Sequence, residues 1–262
     1  MIKFFRRIRQ QLLSENKFSK YLIYAIGEIV LVVIGILIAL QINNWNENNK
    51  DNKLEAEYYC RLLEDVEQDE EQISQLIRKS EDRLKASNQA ARLLLQKQPK
   101  KIDVGKQFWL ANKAIYTDFR PNNSAFEDLK SGARLSIIRD KTVIKSLNTY
   151  YNNIESLKSI IMVNGANAVN VSFAHDDNFA NGDNQASMLY GRFKDGMDED
   201  IFKAIGIDSV SVLSEEMQQR LYNEALLYIS ANTRQLELYR TIHEFSESMK
   251  TMLSNKCQTR FN

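Results

Sequence analysis

Helix breakers are scarce in this chain: it has two prolines and nine glycines in 262 residues. So few turn formers exclude a sandwich or barrel of many short strands and favour long helices rich in Leu, Ile, Lys, Glu, Gln and Asn. Two cysteines, Cys60 and Cys257, are too few for a disulfide scaffold and fit no zinc spacing. The two histidines, His175 and His243, have no second histidine at ligand spacing, so no metal site and no cofactor is assigned. Nucleophile elbow, phosphate loop and dinucleotide fingerprint are all missing, and the chain reads as non-enzymatic. Neither sign of charge is in clear excess, with 35 Lys and Arg against 34 Asp and Glu. The net charge is only +1.

That small total hides an asymmetry. Lys3, Arg6, Arg7, Arg9, Lys17 and Lys20 against Glu15 give residues 1–20 a balance of +5, and residues 43–262 carry −3. A mildly acidic larger part argues against nucleic acid as a partner. Between the two lies YLIYAIGEIVLVVIGILIALQI, Tyr21 to Ile42. At about 1.5 Å per residue it reaches about 33 Å, enough to cross a hydrocarbon layer of roughly 30 Å. Glu28 opposes insertion by about 3 kcal/mol, but the Leu, Ile and Val residues together contribute about −4 to −8 kcal/mol. Insertion wins. A cleaved signal peptide competes with this reading, yet its apolar core would be shorter, and ALQINNWNENN offers no A-x-A cleavage site.

The basic excess before the span places the N-terminus in the cytoplasm, with Arg6, Arg7, Arg9, Lys17 and Lys20 setting the topology. Tyr21 and Tyr24 suit one interface and Trp45 the other. Phe5, Ile8 and Leu12 recur at helical spacing among the arginines, so residues 1–20 read either as a basic amphipathic segment lying on the inner leaflet or as a simple topology signal. Residues 43–53 form a polar juxtamembrane linker.

The stretch Gly27–Glu47, GEIVLVVIGILIALQINNWNE, preceded by MIKFFRRIRQ, resembles the N-terminus of the bacterial membrane-protein family catalogued as domain of unknown function 6090. Ser124–Tyr151, SAFEDLKSGARLSIIRDKTVIKSLNTYY, is similar to a second, looser block of that family. The resemblance implies the inner membrane of Gram-negative bacteria, mainly Bacteroidota, and with the basic excess inside, residues from Asn43 outward are expected in the periplasm. It implies no activity, cofactor or catalytic residue.

Residues 54–262 read as a periplasmic helical bundle, all-α and elongated, of three long and about two short helices. A seven-residue pattern runs from Tyr59 to Leu94. One set of positions is Tyr59, Val66, Ile73, Ser80, Ser87 and Leu94; the other is Leu63, Glu70, Ile77, Leu84 and Ala91. Pro99-Lys100-Lys101 ends it. Asp140 caps a second long helix with the stripe Val143, Leu147, Tyr150, Ile154, Leu157 and Ile161, weakening after Asn164-Gly165. Ser214 caps a third, with Met217, Leu221, Ala225, Tyr228, Leu236, Tyr239, Ile242, Met249 and Leu253 along one face. Short helices fit Gly105–Tyr116 and Ser124–Ser131, the latter with a Ser124/Glu127 capping box and Gly132 just past its end. The connector from about His175 to Leu213 has no clear period.

Few features offer chemistry. His175-Asp176-Asp177 with Asn181-Gly182-Asp183 has the look of a calcium loop, but in register from Asp177 the third position is Phe179 and the twelfth Met188, where oxygen ligands are needed. A polar turn is the preferred reading. Glu64, Asp65, Glu67, Asp69, Glu70 and Glu71 form an acidic run whose default is a solvated helix face, with a cation or basic-partner site as the alternative. Glu28 is the residue whose placement demands explanation. It shares a helix face with Gly35 and Ala39, a small-xxx-small pair that lets helices approach closely. An assembly contact is the leading reading; a proton-coupling site and a snorkelling side chain remain open.

The functional expectation is an anchored scaffold or interaction protein in contact with the lipid bilayer, forming homo-oligomers or binding other envelope membrane proteins. The alternatives are a proton-coupled subunit of a transport or motor complex using Glu28, and a periplasmic sensor module. An up-down-up order of the long helices would put Cys257 far from Cys60, so two free or intermolecular thiols are expected.

Overall fold

The computed structural model describes residues 18–115, 119–132, 134–174, 193–205 and 210–258. Among the described residues there are six α-helices: α1 Phe18–Leu94, α2 Lys101–Asn112, α3 Ser124–Ser131, α4 Lys141–Phe173, α5 Glu199–Ile205 and α6 Glu215–Gln258. No strand occurs among the described residues. The all-helical class follows from the sequence as read, with three long helices and three short ones. The chain divides into two units, Met1–Ala56 and Glu57–Asn262.

In the first unit α1 is an uninterrupted helix. An 18-residue window reaches a mean hydropathy of 2.6 with none of it buried, so the helix is long and apolar enough to cross a membrane. Helical hydrogen bonding continues through the polar residues 43–53, which lack Gly and Pro; Asn43 there donates to Glu47 one turn on, at 3.0 Å.

The second unit is the bundle. Tyr59, Val66, Ile73, Ser80, Ser87 and Leu94 are all buried on α1, as the seven-residue pattern requires. The other half of the seam lies one residue earlier than expected. Leu62, Asp69, Leu76, Arg83 and Ala90 are buried, while Leu63, Glu70, Ile77 and Leu84 are only half-buried and Ala91 is shared. The true seam carries a carboxylate and a guanidinium, so a search for apolar residues at that spacing settles on the neighbouring register.

The stripes on α4 and α6 pack inward as read, apart from Leu157 and Met217, which are half-buried. α4 runs past Gly165 to Phe173, and Ala168 is buried. Asp140 accepts from the Thr142 N–H at 2.9 Å, and Ser214 accepts from the Met217 N–H at 3.2 Å, so both expected caps form. α2 begins four residues before the expected Gly105, directly after Pro99 and Lys100. Near the Leu94 end, Phe108 of α2 meets Tyr228 edge-on at 5.6 Å within a cluster that includes Ala86, Ala90 and Ala91 of α1. Around the turn after α1, Lys101 donates to the Ser211 carbonyl and Leu213 to the Pro99 carbonyl, both at 3.0 Å, forming a short antiparallel bridge.

That bridge fixes the helix directions and corrects the expected order. α6 starts beside the end of α1 and runs back along it. Arg83 meets Asn232 and Gln235, Glu81 meets Arg240, and Glu70 meets Lys250. α4 does not return from the Leu94 end; it runs parallel to α1, with Asp140 beside Lys256 and Ala168 beside Tyr228. The return falls instead to segment 119–134, which carries the short helix α3. Arg120, Asn122, Ala125 and Asp128 of this segment bond successively to Gln72, Asp69, Asp65 and Arg61. α3 is only eight residues long, so counting the long helices does not register it as a return.

Candidate functional site

The reversal brings the cysteines together. Cys60 and Cys257 form an intrachain disulfide with Cα atoms 5.0 Å apart, which overturns the expected free or intermolecular thiols. Neighbouring contacts join the same end of the bundle. Asp128 accepts from Tyr58 at 2.8 Å and pairs with Arg61 at 3.0 Å, while Lys256 pairs with Asp140 at 2.8 Å. The Tyr58 hydroxyl and the Arg61 guanidinium hold the Asp128 carboxyl below its usual range.

The acidic run is not a uniform solvated face. Asp65 and Asp69 turn inward and are buried, while Glu64, Glu67 and Glu71 remain exposed. Asp65 accepts from the Ser124 hydroxyl and from the Ala125 N–H at 2.9 Å, capping α3 from another helix. The expected capping box is therefore absent. Ser124 is spent on Asp65, the capping position belongs to Asn123, and Gly132 ends α3 with a negative φ of −76°. Asp69 accepts from the Asn122 N–H at 2.6 Å and from Tyr150 at 2.8 Å, and Tyr150 lies 3.2 Å from the Ser246 hydroxyl. Burial pushes the Asp69 carboxyl up to about 6 and raises the Tyr150 phenol, which remains a donor.

A second polar group sits further along α1. Arg83, 4% exposed, donates to Asn232, Ser80 and Gln235 at 2.7–3.0 Å. Asn232 and Gln235 in turn donate to the carbonyls of Ala111 and Ile115, fastening the end of α2. Burial lowers the guanidinium pKa. The sequence analysis did not single out Asp65, Asp69, Arg83, Asn232 or Gln235 as interior residues. The usable signal was a seam drawn three residues, and not four, after Tyr59.

A groove of about 390 Å³ opens between α4 and α6, lined by residues that include Lys145, Thr149, Tyr150, Phe245, Met249 and Met252. Glu70, His243 and Glu247 bring ligand atoms within 4.8 Å of one another.

In the first unit all Leu, Ile and Val side chains from Leu22 to Ile42 are exposed. Glu28 is half-covered in a shallow depression with Ala25, Ile29, Val32 and Val33. Gly35 and Ala39 are helical and exposed, and a Cβ built on Gly35 would meet nothing within 4 Å. Trp45 is exposed, whereas Tyr21, Tyr24 and Lys20 are described only as helical backbone. Arg6, Arg7, Arg9 and Lys17, with the whole 1–17 segment, lie outside the described residues, as does the turn at His175–Asp183.

The profile of a protein family described as "Family of unknown function (DUF6090)" matches residues 28–167. Both the apolar stretch after Glu28 and the segment 119–134 that reverses the chain fall within that match. No curated protein and no solved structure matches the chain.

Proposed function

We propose that this chain, a member of the family of unknown function DUF6090, is a non-enzymatic scaffold or interaction protein anchored in the bacterial inner membrane. The reading is carried by the strip from Leu22 to Ile42, whose large apolar side chains are all exposed. In water a strip of that size is untenable; in lipid it is the ordinary surface of a spanning helix. The basic residues before it support a cytoplasmic N-terminus and a bundle in the periplasm. The Cys60–Cys257 disulfide supports that side, because such bonds persist in oxidising compartments. The bundle's inward polar groups favour a structural role, since Asp65, Asp69, Arg83, Asn232 and Gln235 are engaged in fastening one segment to another.

The span also supports self-association. Gly35 relieves no crowding within its own chain, so its small size is left for a neighbouring helix, on the face that Glu28 and Ala39 share. Fusions after Asn262 test the topology: a periplasm-dependent reporter should work and a cytoplasmic one stay dark, and the reverse pattern rejects this orientation. In a membrane association assay, Gly35→Leu and Glu28→Leu should each weaken pairing by about 1 kcal/mol. Unchanged pairing in both removes the assembly role. If Glu28→Gln keeps pairing but abolishes a cellular phenotype, the proton-coupled reading replaces the scaffold.

A further inference from the structure

We propose that Glu70, His243 and Glu247 form a divalent-cation site, zinc being the best match, that ties α1 to α6. His243 and Glu247 are one helical turn apart, but Glu70 lies far from both in sequence, and no spacing rule would join it to them. The antiparallel pairing of α1 and α6 does so. His243, Glu247 and Lys250 are spaced by four and three residues and therefore share one face of α6, opposite Glu70. One nitrogen from His243 and one oxygen from each carboxylate lie within 4.8 Å of one another, and His243 Nδ1 is 3.8 Å from Glu247 Oε2. One imidazole and two carboxylates make a three-ligand set that suits zinc, with a fourth position left for water. All three groups are at least partly exposed, so an ion can enter without opening the bundle.

The position already draws positive charge. Lys250 pairs its ammonium with Glu70, in the field of Glu67 and Glu247. A bound cation takes over the Glu70 carboxylate, and Lys250, on a flexible four-carbon stem, swings out to water. The ion and the lysine are thus alternative occupants of the same place. Because Glu70 belongs to one helix and His243 and Glu247 to the other, occupancy favours the paired helices over the unfolded chain. The disulfide and the cation would then be two successive clamps on the same helix pair.

The test uses the full chain, purified in mild detergent and stripped with a chelator. Titration with zinc chloride should show one saturable site per chain by calorimetry, together with a rise in the midpoint of thermal unfolding. His243→Gln and Glu247→Gln, each with an unchanged far-ultraviolet circular dichroism spectrum, should weaken binding more than about tenfold. Losing even a residue that only orients a metal ligand costs about 10–100-fold. Lys250→Met, which keeps the stem and removes the competitor, should tighten it. An absence of saturable binding, or equal affinity in the wild type and both ligand variants, overturns the assignment.

Discussion

From Leu22 to Ile42 the large aliphatic side chains point outward and the one carboxylate, Glu28, is the half-covered group. In the bundle the core, from Tyr58 to Leu253, is built of buried aliphatic and aromatic side chains, and Asp65, Asp69 and Arg83 are buried with them. On the proposed reading, the same chain, and for part of its length the same helix, follows opposite rules because the two regions answer to different solvents. In the first, exposed apolar surface is compatible with hydrocarbon, and a charge is the expensive group. In the second, burying apolar surface drives packing, and a buried charge is tolerated only where hydrogen bonds replace its water. The bundle meets that condition for Asp65, Asp69 and Arg83 alike.

The largest expected effect concerns the bundle. Its disulfide spans 197 residues, and closing so long a loop should contribute about 3–5 kcal/mol through the unfolded chain. A Cys60→Ala/Cys257→Ala variant should lose that amount in urea unfolding, while cysteine-to-alanine changes leave the span's membrane association intact. A loss below about 1 kcal/mol would mean that the bundle closes without its covalent link.

Next comes Leu31→Lys, in the middle of the apolar stretch. A lysine at a helix centre costs about 3 kcal/mol of insertion, so the variant should partly leave the membrane fraction. On a water-facing helix the same change stays within about 0.5 kcal/mol. A variant that fractionates like the wild type would erase the contrast between the two regions.

The smallest effect sharpens the account of the buried carboxylates. Burial raises Asp69 to about 6 in the folded state, against about 3.9 for an unfolded aspartate. The folded state therefore holds this proton more tightly than the unfolded chain. The resulting stabilisation is fully present below about pH 4 and is lost as the pH rises through about 6. Relative to Asp69→Asn, the wild type should gain about 1–3 kcal/mol on acidification from about pH 7 to about pH 4. A difference that does not change with pH would mean that Asp69 is solvated.

What could be read from the sequence was local. The bounds of α3, the caps Asp140 and Ser214, and the stripes of α4 and α6 depend on residues within a turn or two of each other. The hidden features depended on groups brought together across the fold. Asp69 and Arg83 occupy seam positions where an apolar residue was sought, so the register was misplaced by one. Ser124 had a plausible local partner in Glu127, but a buried carboxylate on another helix took its hydroxyl. The chain reversal over 119–134 rests on contacts of that segment with α1, and without it neither the direction of α6 nor the cysteine pairing could be deduced. Of the membrane stretch the sequence told more, because an exposed apolar helix needs no tertiary partner to be recognised.

The disulfide closes residues 60–257 into a covalent ring. A protease that breaks any one peptide bond between those cysteines opens the ring and releases nothing. Both pieces remain joined through the sulfur bridge to the helix that carries the apolar stretch. Shedding of the bundle would require a second cut, reduction of the bridge, or cleavage before Cys60. A nicked molecule would therefore run as two bands on a reducing gel and one on a non-reducing gel, and damage in the connector between α4 and α6 would leave the protein tethered where it was.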